Sequence, residues 1–311
     1  MIRLLCFLGC DPLKRFIIIS IVLLLASCSP KHVEEKTTDK IFTTIYPIHF
    51  LVTELIGDEV EVQSVYPPGV DAHSYEPTTK EMLEIASGKA FIYLGLGMEG
   101  FAEKAKSALK NSDVNFIEIG EHKELFSQGA DMEDSHTLEV DPHLWFDPLR
   151  MIKMAKIIKN EVTSLFPEQG QTIEENYNQL KKKLQKLDES YQETITQGQK
   201  SHILVSHGAY QYWEDRYGIR QIPISGLTST EEPSQRELAN LINQAEKHNI
   251  KYVLFERHSS NKTAEIIRNT LKAKKAYIHN LEVLFDEDIK AGEDYFSLMK
   301  ENLRVLEKAL Q

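Results

Sequence analysis

Residues 171–196 read QTIEENYNQLKKKLQKLDESYQETIT. Apolar side chains recur in this stretch at steps of three or four residues, which places them on one face of a helix about 40 Å long at 1.5 Å per residue. Pro167 and Gly170 precede the pattern and Gly198 follows it, as is typical of helix ends. The stretch therefore predicts one uninterrupted helix. Its apolar stripe consists of Ile173, Tyr177, Leu180, Leu184, Leu187, Tyr191 and Ile195.

Short β-branched runs alternate with helical patterns on both sides of this helix. Such alternation predicts parallel sheets covered by helices. The predicted strands are residues 41–45, 61–65, 90–94 and 114–117 before the long helix, and 203–206, 221–224, 252–256 and 275–278 after it. The predicted helices are residues 49–56, 79–87, 101–109, 235–247, 263–271 and 295–310.

The predicted fold is therefore α/β, with two parallel-sheet lobes bridged by one long rigid helix. A coiled-coil dimer is the alternative reading of the apolar stripe. We favour the bridge because the stripe is short and lies between two lobes that can cover it. The predicted boundaries are 1–27 for a signal peptide, 28–39 for a tether, 40–166 for the N-terminal lobe, 167–200 for the linking helix and 201–311 for the C-terminal lobe.

The N-terminus has the order of segments found in a secretory signal. Lys14 and Arg15 precede an apolar run over residues 16–26, which is about half the roughly 20 residues that a bilayer-spanning helix needs. The run ends in Leu-Ala-Ser-Cys28, which resembles the bacterial lipobox, in which the cysteine is lipidated. An ordinary signal peptide or a short membrane anchor is the alternative. Cleavage before Cys28 would leave one cysteine and no internal disulfide.

Composition narrows the class of protein. Hydrophobic residues make up 41% and charged residues 27% of the 311 residues, and the formal net charge is −11. These values describe a soluble globular protein. A strongly acidic balance argues against binding nucleic acid, and against binding anionic lipid through surface charge.

Three histidines occupy positions where a binding site is expected. His73 lies in the loop after the second predicted strand, and His143 lies in the segment Asp141-Pro-His-Leu-Trp. His207 directly follows residues 203–206 at the end of that predicted strand. In open α/β sheets, ligands bind beyond the carboxyl ends of the strands. No His-x-x-x-His pair connects the three, so the residues alone support a metal site only weakly.

Six motifs together resemble the metal-binding solute-binding proteins of ABC transporters, in particular the zinc-uptake branch. The resemblance runs from about Ile41 to the C-terminus and keeps the family's order of motifs. The motifs are PPGVDAHSYEP at 67–77, GLGME at 95–99, DPHLWFDP at 141–148, SHGAYQYW at 206–213, GLTSTEEPS at 226–234 and GEDYFSLMKENL at 292–303.

The resemblance implies one metal ion bound in the cleft between the lobes. The implied ligands are His73, His143, His207 and the carboxylate of Glu282, with Asp286 as the alternative fourth ligand. Three imidazoles and a carboxylate suit Zn²⁺ better than the harder Mn²⁺. The family's manganese branch has a glutamate in place of His207, which also favours zinc.

One departure from the zinc branch concerns the segment before Asp141. Many members carry a long histidine-rich acidic loop there, whereas residues 121–140 are short and contain only His122 and His136. This loop could gather cations as an accessory site, or it could simply be solvated.

We expect Glu256 to hydrogen-bond a ligand or the cleft backbone. His49, His202, His248 and His279 are assigned to structure, and His258 falls outside the family pattern.

The sequence thus predicts an extracytoplasmic lipoprotein, not an enzyme, that captures Zn²⁺ and delivers it to the permease of an ABC importer. We expect a monomer that binds no nucleic acid and meets the membrane only through its lipid anchor. One alternative keeps this role with Mn²⁺ or Fe²⁺ as the ion. Two others are a zinc hydrolase, which the absence of a His-Glu-x-x-His segment disfavours, and a surface adhesin.

Overall fold

Two four-stranded parallel sheets form the framework of the protein. The computed structural model describes residues 38–126, 140–227, 233–259 and 261–311. The first sheet has the order β2-β1-β3-β4 and the second β6-β5-β7-β8, which confirms the predicted α/β class. The strands are β1 Ile41–Thr43, β2 Val62–Ser64, β3 Ala90–Tyr93, β4 Asn115–Glu118, β5 His202–His207, β6 Arg220–Ser225, β7 Tyr252–Glu256 and β8 Lys274–Ile278.

The register of the second sheet places two polar side chains beside each other. Val205 of β5 lies opposite Leu254 of β7. Two residues further along these parallel strands stand His207 and Glu256, each the last residue of its strand. Because successive side chains alternate between faces, both lie on the same face at the carboxyl edge of the sheet.

The helices cover both sheets. The described residues form α1 Tyr46–Ile56, α2 Thr79–Ala86, α3 Ala102–Ala108, α4 Pro148–Leu165, α5 Gly170–Thr196, α6 Gln211–Tyr217, α7 Gln235–Lys247, α8 Lys262–Leu271, α9 Asp286–Ala291 and α10 Tyr295–Ala309. No range was predicted for α4, α6 or α9. Helix α4 begins with a strong signal, since Asp147 accepts the Leu149 N–H at 2.8 Å and Pro148 occupies the first helical position.

Helix α5 is the predicted long helix, and it packs against elements from both halves of the chain. Its neighbours are α1 and α4 from the first half and α6 and α10 from the second. Asn176 donates to the Leu55 carbonyl at 3.0 Å, and Tyr191 donates to the Met299 carbonyl at 2.7 Å. The stripe from Ile173 to Tyr191 is buried within the protein's own core. This face is therefore used inside one chain, and a coiled-coil partner is not needed to cover it.

Several predicted features lie outside the described residues. These are the signal peptide, Cys28, most of the tether, and His136 of the acidic loop. The predicted boundaries of the two lobes stay a prediction. Among the helices of the described ranges, none combines the length and the apolar character needed to cross a membrane.

Candidate metal centre

His73 lies in the loop that follows β2, and the backbone of this loop is held by a local turn. The Asp71 carboxylate accepts the N–H groups of His73 and Ser74 at 3.0 and 3.1 Å. The Tyr66 hydroxyl donates to the Ala72 carbonyl at 2.8 Å. These bonds fix the path of the chain, while the imidazole itself is only partly exposed, at 14% of its side-chain surface.

His143 is fully buried just before a 3₁₀ turn at Leu144–Phe146. Asp141 Oδ1 lies 2.9 Å from the His143 backbone N and 2.7 Å from its Nδ1. Asp141 is fixed in turn, because its carbonyl accepts the Tyr212 hydroxyl at 2.6 Å. The Asp141 carboxylate therefore turns the other ring nitrogen of His143, Nε2, away from itself.

His207 ends β5 and is 2% exposed. Its Nδ1 lies 2.7 Å from Glu256 Oε1, the neighbour that the sheet register provides. Its Nε2 lies 2.8 Å from the Leu227 carbonyl. Both ring nitrogens thus face acceptors, so both carry a proton in this arrangement. A metal ion can use His207 Nε2 only after the Leu227 carbonyl has moved away and that proton has left.

Glu282 follows β8 and is 4% exposed. The segment that carries it is hydrogen-bonded to the first half of the chain: Tyr46 N–H donates to the Glu282 carbonyl at 2.7 Å, and the Trp145 indole donates to the Asn280 carbonyl at 2.8 Å. The preceding residue, Leu281, has a φ of 60°. This left-handed conformation is strained for leucine, and the surrounding bonds hold it. The backbone that carries the carboxylate is consequently fixed in place.

These four residues converge on one point although they come from four separate segments. The ligand atoms of His73, His143 and His207 all lie within 4.8 Å of one another. Glu282 Oε1 lies 3.8 Å from His73 Nε2 and 3.6 Å from His143 Nε2. Zinc bonds of 2.0–2.1 Å in a tetrahedron separate neighbouring ligand atoms by about 3.3 Å. Small side-chain adjustments would bring these atoms to that separation.

Three of these polar atoms are buried without a hydrogen-bond partner in the described part of the chain. They are His73 Nε2, His143 Nε2 and Glu282 Oε1. A buried polar group without a partner is destabilising, and native proteins keep very few of them. Three such atoms that lie close together are typical of a cation-binding site. Imidazole nitrogens with one carboxylate oxygen form a typical zinc donor set.

Two carboxylates favour the charged form of their histidines. Burial opposes the charge on His207, but the charge of Glu256 and the hydrogen bond to it raise the pKa of His207 to about 9. Burial likewise opposes the charge on His143, but the hydrogen bond to Asp141, the contact with Glu282 and the charge of Asp141 together outweigh it and raise the pKa of His143. A metal ion binding through these two rings would therefore have to compete with protons.

His73 and Glu282 shift in the opposite direction. Burial lowers the pKa of His73, and the nearby Glu282 carboxylate offsets this only in part. Burial would raise the pKa of Glu282, but the three surrounding imidazoles and the contact with His143 lower it. At neutral pH the site thus presents an ionised carboxylate and a neutral His73, which are the forms that bind a metal ion.

The other histidines and the rival carboxylate lie elsewhere. Asp286 begins α9 and is exposed. His122 Nδ1 lies 3.7 Å from Glu124 Oε1. His258 is exposed and pairs with Glu287 at 2.5 Å. The four histidines assigned to structure make contacts of their own: His49 with Thr43, His202 with His248, and His279 with Asp288 and Asn302.

A cavity of about 160 Å³ opens beside the four residues. Its walls come from both halves of the chain, with Asp71 and His73 on one side and His207, Glu256 and Glu282 on the other. The site therefore lies in a cleft with access to solvent. Asp141 was not among the predicted site residues. Its position two residues before His143 was a usable signal, since an aspartate there can reach that ring.

Comparison with known proteins adds independent information. Residues 41–309 match the ZnuA family, described as zinc-uptake complex component A, periplasmic. The zinc-binding lipoprotein AdcA of Streptococcus pneumoniae (strain ATCC BAA-255 / R6) is 32% identical over 296 residues, covering 92% of this chain and 58% of AdcA. The chain thus spans little more than half of that relative. The high-affinity zinc uptake system protein ZnuA of Bacillus subtilis (strain 168) is 30% identical over 310 residues, covering 95% of this chain and 96% of that protein.

Solved structures share the fold. The crystal structure of the Zn(II)-bound ZnuA-like domain of Streptococcus pneumoniae AdcA is 32% identical, with a TM-score of 0.73, and the match covers 87% of this chain and 98% of that chain. A mutant structure of the laminin-binding adhesin (Lmb) from Streptococcus agalactiae is 27% identical, with a TM-score of 0.78, covering 88% of this chain and 100% of that chain. The likeness extends over both sheets and the long helix.

Proposed function

The chain belongs to the ZnuA family of zinc-uptake components, and from this premise we propose that it captures Zn²⁺ outside the cytoplasmic membrane and delivers it to the permease of an ABC importer. His73, His143, His207 and Glu282 bind the ion. The observation that carries the proposal is the convergence of three buried polar atoms without hydrogen-bond partners, beside the Nε2 of His207.

Zinc is the ion that this donor set favours. Three imidazole nitrogens suit a borderline ion with tetrahedral geometry, whereas Mn²⁺ prefers more oxygen ligands. Metal analysis of protein purified without added metal, followed by competitive titration with Zn²⁺ and Mn²⁺, tests this choice. We expect about one zinc per chain and tighter binding of Zn²⁺. Equal or tighter binding of Mn²⁺ would transfer the proposal to manganese.

The donor count also argues for transport instead of catalysis. A catalytic zinc keeps a coordination position open for water, whereas four protein donors fill a tetrahedral shell. We therefore expect the zinc-loaded protein to hydrolyse ester and peptide substrates no faster than the same concentration of free zinc. Faster turnover that disappears in His143→Ala would identify a hydrolase.

Delivery to a permease requires the protein to stay near the membrane. We propose that Cys28 carries lipid after cleavage of residues 1–27, because the residues before it have the order of a lipoprotein signal. Mass spectrometry of the protein from bacterial membranes tests this, with Cys28→Ser as the control. A mature protein that keeps residues 1–27, or that carries no lipid, would contradict the anchor.

Adhesion is a second candidate, favoured by the structural likeness to the laminin-binding adhesin. The two roles are separable, because adhesion uses an outer surface and zinc capture uses the cleft. Binding of the protein to immobilised laminin, compared with binding to albumin, tests the adhesin role. Laminin binding that persists in His143→Ala would add this role without removing the first.

A further inference from the structure

Two carboxylates contact the Nδ1 atoms of two proposed ligands, whose other ring nitrogens, Nε2, are the proposed metal-binding atoms. Asp141 Oδ1 lies 2.7 Å from His143 Nδ1, and Glu256 Oε1 lies 2.7 Å from His207 Nδ1. All four residues are at most partly exposed, and both rings are buried. The residues of the first pair are 2 positions apart in the sequence, and those of the second pair are 49 positions apart. The site therefore contains two contacts of the same kind that come from different parts of the chain.

We propose that Asp141 and Glu256 are positioning residues, each of which holds a proton of its imidazole on Nδ1, so that Nε2 is the ring nitrogen that binds the ion; at His207, Nε2 does so once its own proton has left. The proposal rests on the proposed zinc site and names the residues that set its geometry. A neutral imidazole has one ring proton. An acceptor at Nδ1 draws that proton to Nδ1, which leaves the lone pair on Nε2 for the metal.

His73 provides the internal contrast. Its carboxylate neighbour Asp71 accepts backbone N–H groups instead of a ring N–H. His73 is also the only one of the three that is partly exposed. Its ring is therefore oriented by the loop and by Glu282, while the two buried rings are oriented by carboxylates. His73 thus differs from His143 and His207 in the contacts that orient its ring.

Glu256 could instead be a ligand, because oxygen and nitrogen atoms of His207, Glu256 and Glu282 lie within 4.8 Å of one another. The contacts of Glu256 favour positioning. Its Oε1 already accepts from His207 Nδ1, and its backbone N–H donates to the Ser206 hydroxyl at 3.3 Å. Binding of the ion by Glu256 would also place a second carboxylate beside Glu282.

Amide variants separate the two roles. In Glu256→Gln and Asp141→Asn, the amide oxygen can still accept the Nδ1 proton, whereas an amide is a poor zinc ligand. Positioning predicts that Glu256→Gln and Asp141→Asn stay within about tenfold of the parent zinc affinity, while Glu256→Ala and Asp141→Ala lose about 10–100-fold. Affinity is measured by competitive titration on the full protein.

Co²⁺ serves as the spectroscopic probe, because its visible absorption reports the number and kind of ligands. We expect Glu256→Gln to keep the parent's four-coordinate Co²⁺ spectrum. Loss of affinity in Glu256→Gln as large as in Glu256→Ala, with an altered Co²⁺ spectrum, would show that Glu256 is a ligand. Unchanged affinity in both alanine variants would also overturn the proposal.

Asp188→Asn is the matched control. Asp188 is a buried carboxylate outside the site that pairs with Arg216 at 2.6 Å and accepts the Tyr217 hydroxyl at 3.0 Å. Its loss should lower the unfolding temperature and leave the Co²⁺ spectrum unchanged. His143→Ala distinguishes this inference from the proposed function. If His143→Ala keeps the parent affinity, the zinc site itself is wrong. If His143→Ala loses affinity while Glu256→Ala and Asp141→Ala keep the parent affinity, only the positioning role is wrong.

Discussion

Two pairs of histidine and aspartate in the described part of the chain, His279 with Asp288 and His143 with Asp141, differ in one respect. His279 Nε2 lies 3.0 Å from Asp288 Oδ2, and its Nδ1 accepts the Leu281 N–H at 2.9 Å, so both ring nitrogens have partners. In the pair of His143 with Asp141, Nδ1 has a partner and Nε2 has none among the described residues. A histidine beside a carboxylate is therefore not the sign of a metal site. What distinguishes His143 from His279 is its second ring nitrogen, Nε2, which is buried without a hydrogen-bond partner among the described residues.

The first prediction tests this contrast where the effect should be greatest. His143→Ala should weaken zinc binding at least about 100-fold, because even the hydrogen-bond partners of ligands are worth about 10–100-fold. His202→Ala is the control, since this histidine stacks on His248 outside the site. Competitive zinc titration measures both. If His143→Ala bound zinc as tightly as the parent protein, His143 would not be a ligand and the contrast with His279 would be wrong.

The second prediction concerns the carboxylate ligand. Glu282→Ala should weaken zinc binding about 10–100-fold, because it removes the only proposed negative ligand of a doubly charged ion. Asp286→Ala should have no effect, since Asp286 is exposed at the start of α9. The same titration decides between them. A loss confined to Asp286→Ala would show that the fourth ligand is misplaced.

The third prediction uses pH. With a pKa of about 9, His207 is protonated at neutral pH, so zinc must displace a proton. Zinc affinity should therefore rise about tenfold per pH unit for each proton released between about pH 6 and pH 8. Isothermal titration in buffers of different ionisation enthalpy counts the protons. Zinc affinity independent of pH would contradict a site built on histidines.

The stability of the metal-free fold should show the opposite sign. The raised pKa of His207 contributes stability that is fully present below about pH 6.5 and is lost as the pH rises through about 9. Urea unfolding of metal-free protein at several pH values measures this contribution. His207→Gln should remove that part of the pH dependence, and an unchanged profile in the variant would assign it to other groups.

The smallest effect on zinc affinity is expected for the pair of His279 with Asp288. Asp288 accepts from Arg257 and from the Phe285 N–H besides His279. Asp288→Asn should lower the free energy of unfolding by about 1–3 kcal/mol, because buried groups lose their partners, and should leave zinc affinity near the parent value. Weak zinc binding at unchanged stability would mean that this pair, too, belongs to the site.

Much of the fold could be predicted from the sequence because it rests on local patterns. All eight predicted strands and the long helix are present, with ends shifted by a few residues. Helix α9 was missed because its six residues carry too short a pattern. Helix α4 was not predicted, although Asp147 and Pro148 are typical of a helix start.

The site was less predictable for a physical reason. His207 and Glu256 meet because β5 and β7 are neighbours in the sheet, and the order of strands cannot be read from the spacing of residues along the chain. The contact between His207 and the Leu227 carbonyl depends on tertiary structure in the same way. Only the resemblance to a known family selected His73, His143, His207 and Glu282 among the possible ligands.

X-ray absorption at the zinc edge tests the central claim most directly, because it reports the atoms bound to the ion. For the zinc-loaded full protein, we expect four nitrogen or oxygen neighbours at about 2.0–2.1 Å with no sulfur, and outer-shell scattering from three imidazole rings. His143→Ala should reduce the number of rings to two. A shell of six oxygen-rich ligands, or fewer than three imidazoles in the parent protein, would contradict a zinc site formed by His73, His143, His207 and Glu282.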